Sequence, residues 1–183
     1  DKTILQLSQS ITTLILSGCK KLTNAAFDNP LPNLKHLNIS KTNITSLNGV
    51  PKTLLSLDAS QCFITDDCLE DFSHLQMLNI SHCKLLTADV LPRLSRGLSS
   101  LFMRRLSGIT IENMRKLPPF LKKLDLWGCD VEDEVITVLP FTLEEGHMVL
   151  LPIVIGDRCS VGAKSTIASG SVLLSNTHIG PLS

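Results

Sequence analysis

The most reactive side chains of this chain belong to six cysteines and five histidines. Thiolates and imidazoles bind zinc, but a zinc site needs these ligands at suitable spacings. The sequence contains no C-x-x-C pair and no pair of histidines at zinc spacing. Four thiols instead recur at the ninth position of an apolar frame, L-x-x-L-x-L-x-x-C/T/L: Cys19, Cys62, Cys83 and Cys129. We therefore interpret them as structural thiols and predict no metal and no cofactor.

A second candidate site combines aromatic and charged side chains between residues 102 and 127. Tryptophan and arginine are enriched among the residues that dominate binding energy, and Trp127 is the only tryptophan of the chain. We predict a site for a protein partner that carries acidic groups, formed by Phe102, Arg104, Arg105, Lys123, Asp125 and Trp127. The nearby basic residues lack an interleaved aromatic series and belong to a neutral chain, so we predict no nucleic-acid partner.

The elements that must position these side chains follow from the apolar frame. Its six copies open at Ile11, Leu34, Leu54, Leu75, Leu98 and Leu121. A period in the low twenties is typical of stacked supersecondary units. From Ile11 to Leu139 the chain resembles leucine-rich repeats. This resemblance implies an α/β solenoid, in which a parallel sheet is backed by short outer helices and frame positions one, four and six form a leucine core.

The resemblance also assigns the remaining frame positions. The ninth position lies where the chain leaves the strand and turns inward, so a small residue with a weak donor suits it. Positions five, seven and eight face outward. In the first four frames they are mainly small and polar, whereas the fifth and sixth frames place Phe102, Arg104, Arg105 and Trp127 there. We predict outer helices at Asp66–Phe72, at 111–117 and at 132–139, with Thr65, Thr110 and Asp130 as caps.

A different period begins near residue 141. Aliphatic residues recur every six positions, at Leu143, Val149, Ile155, Val161, Ile167, Leu173 and Ile179. This spacing resembles hexapeptide-repeat domains, which are left-handed parallel β-helices, such as those appended to peptide-synthetase-like adenylating enzymes. Hexapeptide acyltransferases typically use a histidine as base. His147 and His178 have no visible partner in the sequence, so we expect both to be solvated.

These patterns predict two domains: a leucine-rich-repeat solenoid at 1–140 and an incomplete hexapeptide β-helix at 141–183. The longest strongly apolar run has eight residues, Met148 to Ile155, whereas a bilayer span needs about 20. Balanced charge, with 17 basic and 17 acidic residues, provides no global attraction to membranes or nucleic acid. Reduced cysteines at buried positions favour an intracellular compartment, and we predict a cytoplasmic protein.

We predict a non-catalytic scaffold that presents the concave face of its sheet to a protein partner. The main alternative is a fragment of a hexapeptide-repeat acyltransferase or adenylating enzyme, to which the repeats are an adaptor. A third interpretation is architectural, with the hexapeptide segment assembling the repeats into a homotrimer.

Overall fold

The computed structural model describes residues 1–29 and 31–130 and, further on, 154–155, 160–161, 172–173, 176 and 178–179. A six-stranded sheet dominates the first part, and all neighbouring strands are parallel and follow chain order. The strands are β1 (Thr13–Ile15), β2 (His36–Asn38), β3 (Ser56–Asp58), β4 (Met77–Asn79), β5 (Ser100–Phe102) and β6 (Lys123–Asp125). Together with the short helices described below, this sheet confirms the predicted α/β class.

Each strand consists of positions three to five of its frame, so the strand register follows the frame. Thr13 is paired with His36, and Phe102 is paired with Asp125. Neighbouring side chains along a strand point to opposite faces of the sheet. Position four therefore points to one face in all six strands, while positions three and five point to the other.

The core lies on the face to which position four points. Leu37, Leu57, Leu78 and Leu101 have at most 2% of their surface exposed. Burial of such a side chain stabilises the fold by roughly 1.5–3 kcal/mol. At the two ends of the sheet the position-four residues differ: Leu14 on β1 is only partly buried, whereas Leu124 on β6 is buried. The prediction that positions one, four and six point inward is confirmed for the four inner frames.

A left-handed residue turns the chain after every strand. The eighth frame position has a positive φ in all six frames, at Gly18, Lys41, Gln61, His82, Arg105 and Gly128. The backbone N–H of Lys41 donates to the carbonyl of Ser60 at 2.9 Å, and the N–H of Gln61 donates to Ser81 at 2.9 Å. The ladder of backbone hydrogen bonds therefore continues past the strands, and the turns stack directly on one another.

The outer segments are short and mostly of the 3-10 type. Four 3-10 segments occur among the described residues, at Ile4–Gln6, Asn24–Phe27, Asp66–Leu69 and Ala88–Arg93. Helix α1 (Ile111–Arg115) begins with the capping box of Thr110 and Asn113, as predicted for Thr110. The predicted helix at 66–72 is shorter than expected, and Thr65 makes no capping hydrogen bond. Within the part of the chain that the structure describes, no helix has the length and apolar character needed to cross a bilayer.

Side-chain hydrogen bonds join successive outer segments. The Asp66 carboxylate accepts the backbone N–H of Thr87 at 3.0 Å and its hydroxyl at 2.7 Å. Asp1 accepts the same two groups of Thr23, at 3.0 and 2.6 Å. Each carboxylate therefore fixes the start of the next outer segment. The predicted helix at 132–139, for which Asp130 was the expected cap, lies outside the described residues.

The C-terminal part contains four described strands: β7 (Val154–Ile155), β8 (Ser160–Val161), β9 (Val172–Leu173) and β10 (His178–Ile179). They form two parallel pairs, β7 with β9 and β8 with β10. In one pair Val154 lies opposite Val172, and in the other Ser160 lies opposite His178. The two pairs have the same offset along the chain, and it equals three of the six-residue periods seen in the sequence.

Candidate functional site

Three of the frame cysteines donate a hydrogen bond to the residue that directly follows the preceding strand. Cys62 donates its Sγ hydrogen to the carbonyl of Ile39 at 3.0 Å. Cys83 and Cys129 donate in the same way to Ala59 and Met103, each at 3.1 Å. In each case the acceptor is the sixth position of the preceding frame. The prediction that these thiols satisfy carbonyl groups at the turn is confirmed for these three.

Cys19 departs from this pattern. Its frame position predicts burial, but the structure leaves this residue exposed. For Cys62, Cys83 and Cys129 the acceptor directly follows the preceding strand, and β1 is the first strand of the described sheet. The expectation of burial was therefore wrong for Cys19, because the neighbour that covers each later thiol is missing at that edge.

Burial makes the inner thiols unreactive. Removal from water raises the pKa of Cys83 to about 12 from an ordinary value of 9.0. The pKa of Cys62 is also raised, mainly by burial, although hydrogen bonds from Thr42 oppose the shift. A neutral thiol is a poor nucleophile and a poor metal ligand. Among the residues that the structure describes, no group of three His, Cys, Asp or Glu side chains is arranged to hold a metal ion.

A ladder of side-chain oxygens shapes the outward face of the sheet. Asn38, Asp58, Asn79 and Asp125, all at frame position five, accept the backbone N–H two residues later through Oδ1 at 2.9–3.1 Å. This local bond is the Asx turn, which ends the strand and starts the left-handed turn. Sequence analysis missed this role, although the recurrent Asn or Asp at position five was a visible signal.

The structure brings the residues of the predicted partner site together at the β5–β6 end of the sheet. Arg104 donates from Nε to Asp125 Oδ2 at 2.7 Å. The guanidinium of Arg105 lies over the Trp127 ring, 5.3 Å from its centroid. We call this group, with Phe102 and Lys123, the aromatic corner.

The members of the aromatic corner differ in exposure. Phe102 is half-buried beside Asp125, whereas 47% of Trp127 is exposed. Lys123 is exposed on β6. A Cβ atom on Gly128 would lie 3.1 Å from Arg105 Cγ, so the glycine leaves room for the stacked arginine. The arrangement holds an aromatic ring and a guanidinium together at the surface.

The opposite end of the same face combines exposed apolar side chains with polar ones. Ile15 on β1 is 70% exposed, the largest value among the large hydrophobic side chains of the described residues. A depression of about 210 Å³ over strands β1 to β4 is lined by Ile15 together with Leu14, His36 and Met77. Sequence analysis assigned a polar character to these first four frames, and Met77 at position three was not recognised as part of the face.

The two histidines considered for acid–base chemistry have different outcomes. His147 lies outside the described residues, and His178 is exposed on β10.

A scan against protein-family models finds no match for the chain, and a search of the curated proteins finds none either.

Proposed function

We propose that the chain is a leucine-rich-repeat solenoid followed by a short left-handed β-helix, and that it is a non-catalytic scaffold for protein–protein interaction. The repeated frame and the six strands in chain order support the first part of this proposal. The equal offsets of the two C-terminal strand pairs support the second, because three hexapeptides form one coil of a left-handed β-helix.

The observation that carries the proposed binding site is the geometry of the aromatic corner. A half-exposed Trp127 is stacked under Arg105, and Arg104 is held by Asp125. Side chains that are ordered before binding lose less conformational entropy when a partner docks. Exposed tryptophan and arginine in such a setting are typical binding hot spots. The corner is therefore the part of the sheet face that we propose a protein partner contacts.

The charge of the corner defines the chemistry of the partner. Asp125 balances Arg104, whereas the charges of Arg105 and Lys123 have no carboxylate partner among the described residues. An acidic side chain of the partner would complement these two cations.

The buried, unreactive thiols Cys62 and Cys83 support a reducing compartment, which we propose is the cytoplasm. Trimerisation through the hexapeptide segment stays a separate prediction, to be tested by light scattering.

Site-specific crosslinking tests the proposed site. The photoreactive amino acid p-benzoylphenylalanine would replace Phe102 or Trp127 in the full chain, and crosslinked proteins would be identified by mass spectrometry. Phe120 is the matched control, because it is a 62% exposed aromatic residue three positions before β6. We expect the same protein to crosslink from positions 102 and 127 but not from position 120.

A binding curve with the crosslinked protein then measures the contribution of the corner. Removal of a hot-spot side chain costs about 2 kcal/mol or more, which weakens binding roughly 30-fold. We expect this loss for Trp127→Ala and no change for Phe120→Ala. Equal crosslinking from all three positions, or unchanged affinity of Trp127→Ala, would refute the assignment of the corner.

A further inference from the structure

One edge of the sheet concentrates positive charge that the neutral total conceals. The turns after the first four strands comprise residues 17–21, 40–43, 60–63 and 81–85. These turns contain four lysines and no carboxylate. They also hold Phe63 and Leu85, whose side chains are 44% and 52% exposed. We call Lys20, Lys21, Lys41, Phe63, Lys84 and Leu85 the lysine rim.

The parallel sheet places the whole lysine rim on one side of the molecule. Parallel strands end at the same edge, and adjacent strands are about 4.8 Å apart, so the four turns form a row of about 15 Å. Backbone hydrogen bonds of 2.8–2.9 Å link each turn to the next. A depression of about 340 Å³ opens between the third and fourth turns, between Phe63 and Lys84. The rim is therefore one continuous, rigidly spaced surface.

The lysines of the rim are not used within the fold. Lys20, Lys21, Lys41 and Lys84 are exposed and form no ion pair with any described residue. Two lysines in other parts of the described chain do form ion pairs: Lys52 pairs with Asp71, and Lys116 pairs with Glu112. The rim thus keeps its full charge available for an external anion.

The residue types of the rim favour a lipid surface over a protein. Protein interfaces are depleted in lysine and enriched in arginine, and every cation of the lysine rim is a lysine. An anionic membrane surface attracts lysine and arginine alike, and exposed apolar side chains insert below its headgroups. The lysine stems can extend towards the headgroups while Phe63 and Leu85 enter the apolar boundary. We propose that the lysine rim docks this protein on an anionic phospholipid surface, independently of the aromatic corner.

Vesicle co-sedimentation of the full chain tests this proposal. The probes are vesicles of phosphatidylcholine alone and of a 2:1 mixture of phosphatidylcholine and phosphatidylserine. We expect binding to the anionic vesicles only, with an affinity that falls as NaCl is raised. Each lysine near such a surface contributes about a fivefold change in partition coefficient. Lys41→Gln/Lys84→Gln should therefore weaken binding about 25-fold, and Phe63→Ser/Leu85→Ser should weaken it without altering its salt dependence.

The matched control removes two exposed charges elsewhere, in Arg96→Gln/Lys122→Gln. This variant has the same net charge as Lys41→Gln/Lys84→Gln, so only the position of the lost charges differs. Circular dichroism and thermal unfolding would verify that all variants are folded. Absence of binding to anionic vesicles, equal loss of binding in the control, or tighter binding of a single-stranded oligonucleotide by the rim would overturn the proposal.

Discussion

Substitution of Gly49 by alanine tests how closely the first two outer segments approach each other. Gly49 has a φ of +79°, and a Cβ atom there would lie 2.1 Å from the carbonyl oxygen of Phe27. The same atom would lie 3.0 Å from the Phe27 carbonyl carbon, so the conflict is with backbone rather than with a movable side chain. Phe27 is itself buried, with 2% of its surface exposed. The segments must therefore separate to accommodate a methyl group.

Two effects add up in Gly49→Ala, and a second glycine separates them. An alanine in the left-handed region costs about 1–2 kcal/mol. Overpacking of a close contact costs about 1–3 kcal/mol more. Gly108 has a φ of +72° with no atom within 4 Å of an added Cβ, so Gly108→Ala should show the first cost alone. We therefore expect Gly49→Ala to lower the free energy of unfolding by about 1–3 kcal/mol more than Gly108→Ala does.

Urea unfolding of both variants measures this difference. Amide hydrogen exchange would locate it, because stacked repeats lose stability mainly at the affected interface. Protection from amide exchange should fall around Phe27 and position 49 in Gly49→Ala. It should stay unchanged there in Gly108→Ala. If the two variants lost the same free energy of unfolding, the close contact between Gly49 and Phe27 would be wrong.

Three further predictions concern the thiols and the outer segments. In the folded state the pKa of Cys83 is about 12 rather than 9.0, so the folded state binds more protons between these values and its stability should fall above pH 9. Urea titrations at a series of pH values should show that the free energy of unfolding falls less steeply above pH 9 in Cys83→Ala than in the wild type. The same dependence on pH in both proteins would contradict the burial of this thiol. Iodoacetamide should label Cys19 rapidly at pH 8 and Cys62 only after unfolding, as read by mass spectrometry; equal rates would contradict their different exposure. Asp66→Ala removes the acceptor of two Thr87 hydrogen bonds and should cost about 1 kcal/mol in urea unfolding, whereas a variant as stable as the wild type would refute that role.

The sequence predicted the sheet well because one rule governs all six strands. Position four must be apolar wherever coils stack, and Leu37, Leu57, Leu78 and Leu101 satisfy this rule in consecutive frames. The parallel order of the strands was expected from the resemblance to leucine-rich repeats, and the six strands of the described sheet have that order.

The frame did not predict the structure where the burial or conformation of a residue depends on the adjacent frame. Cys19 has the same frame position as Cys62, but it is exposed at β1, the first strand of the described sheet. The outer segment at 88–93 is a 3-10 helix that contains Pro92, a residue that sequence reasoning treats as the end of a helix. A frame describes a single coil, whereas burial and outer-segment geometry are set by two adjacent coils.

The partner site is a prediction from residue types, and the sequence did not predict the contacts among its residues. The frame placed Phe102 and Trp127 at neighbouring outward positions. It could not indicate that Arg104 is held by Asp125 while Arg105 lies over Trp127. These choices depend on rotamers and on the left-handed turn at Arg105, which aims two adjacent arginines at different partners.

The same turn geometry explains why net charge was a poor guide to the surface of this molecule. The turn after each strand of the sheet lies at one edge, so Lys41 and Lys84 share that edge although one further frame separates them in the chain. Carboxylates such as Asp66 and Asp67 lie instead in an outer segment, where Asp67 pairs with Arg93. Charge is thus separated by position within the frame, and in a chain with no net charge the turns after the first four strands contain lysines and no carboxylate.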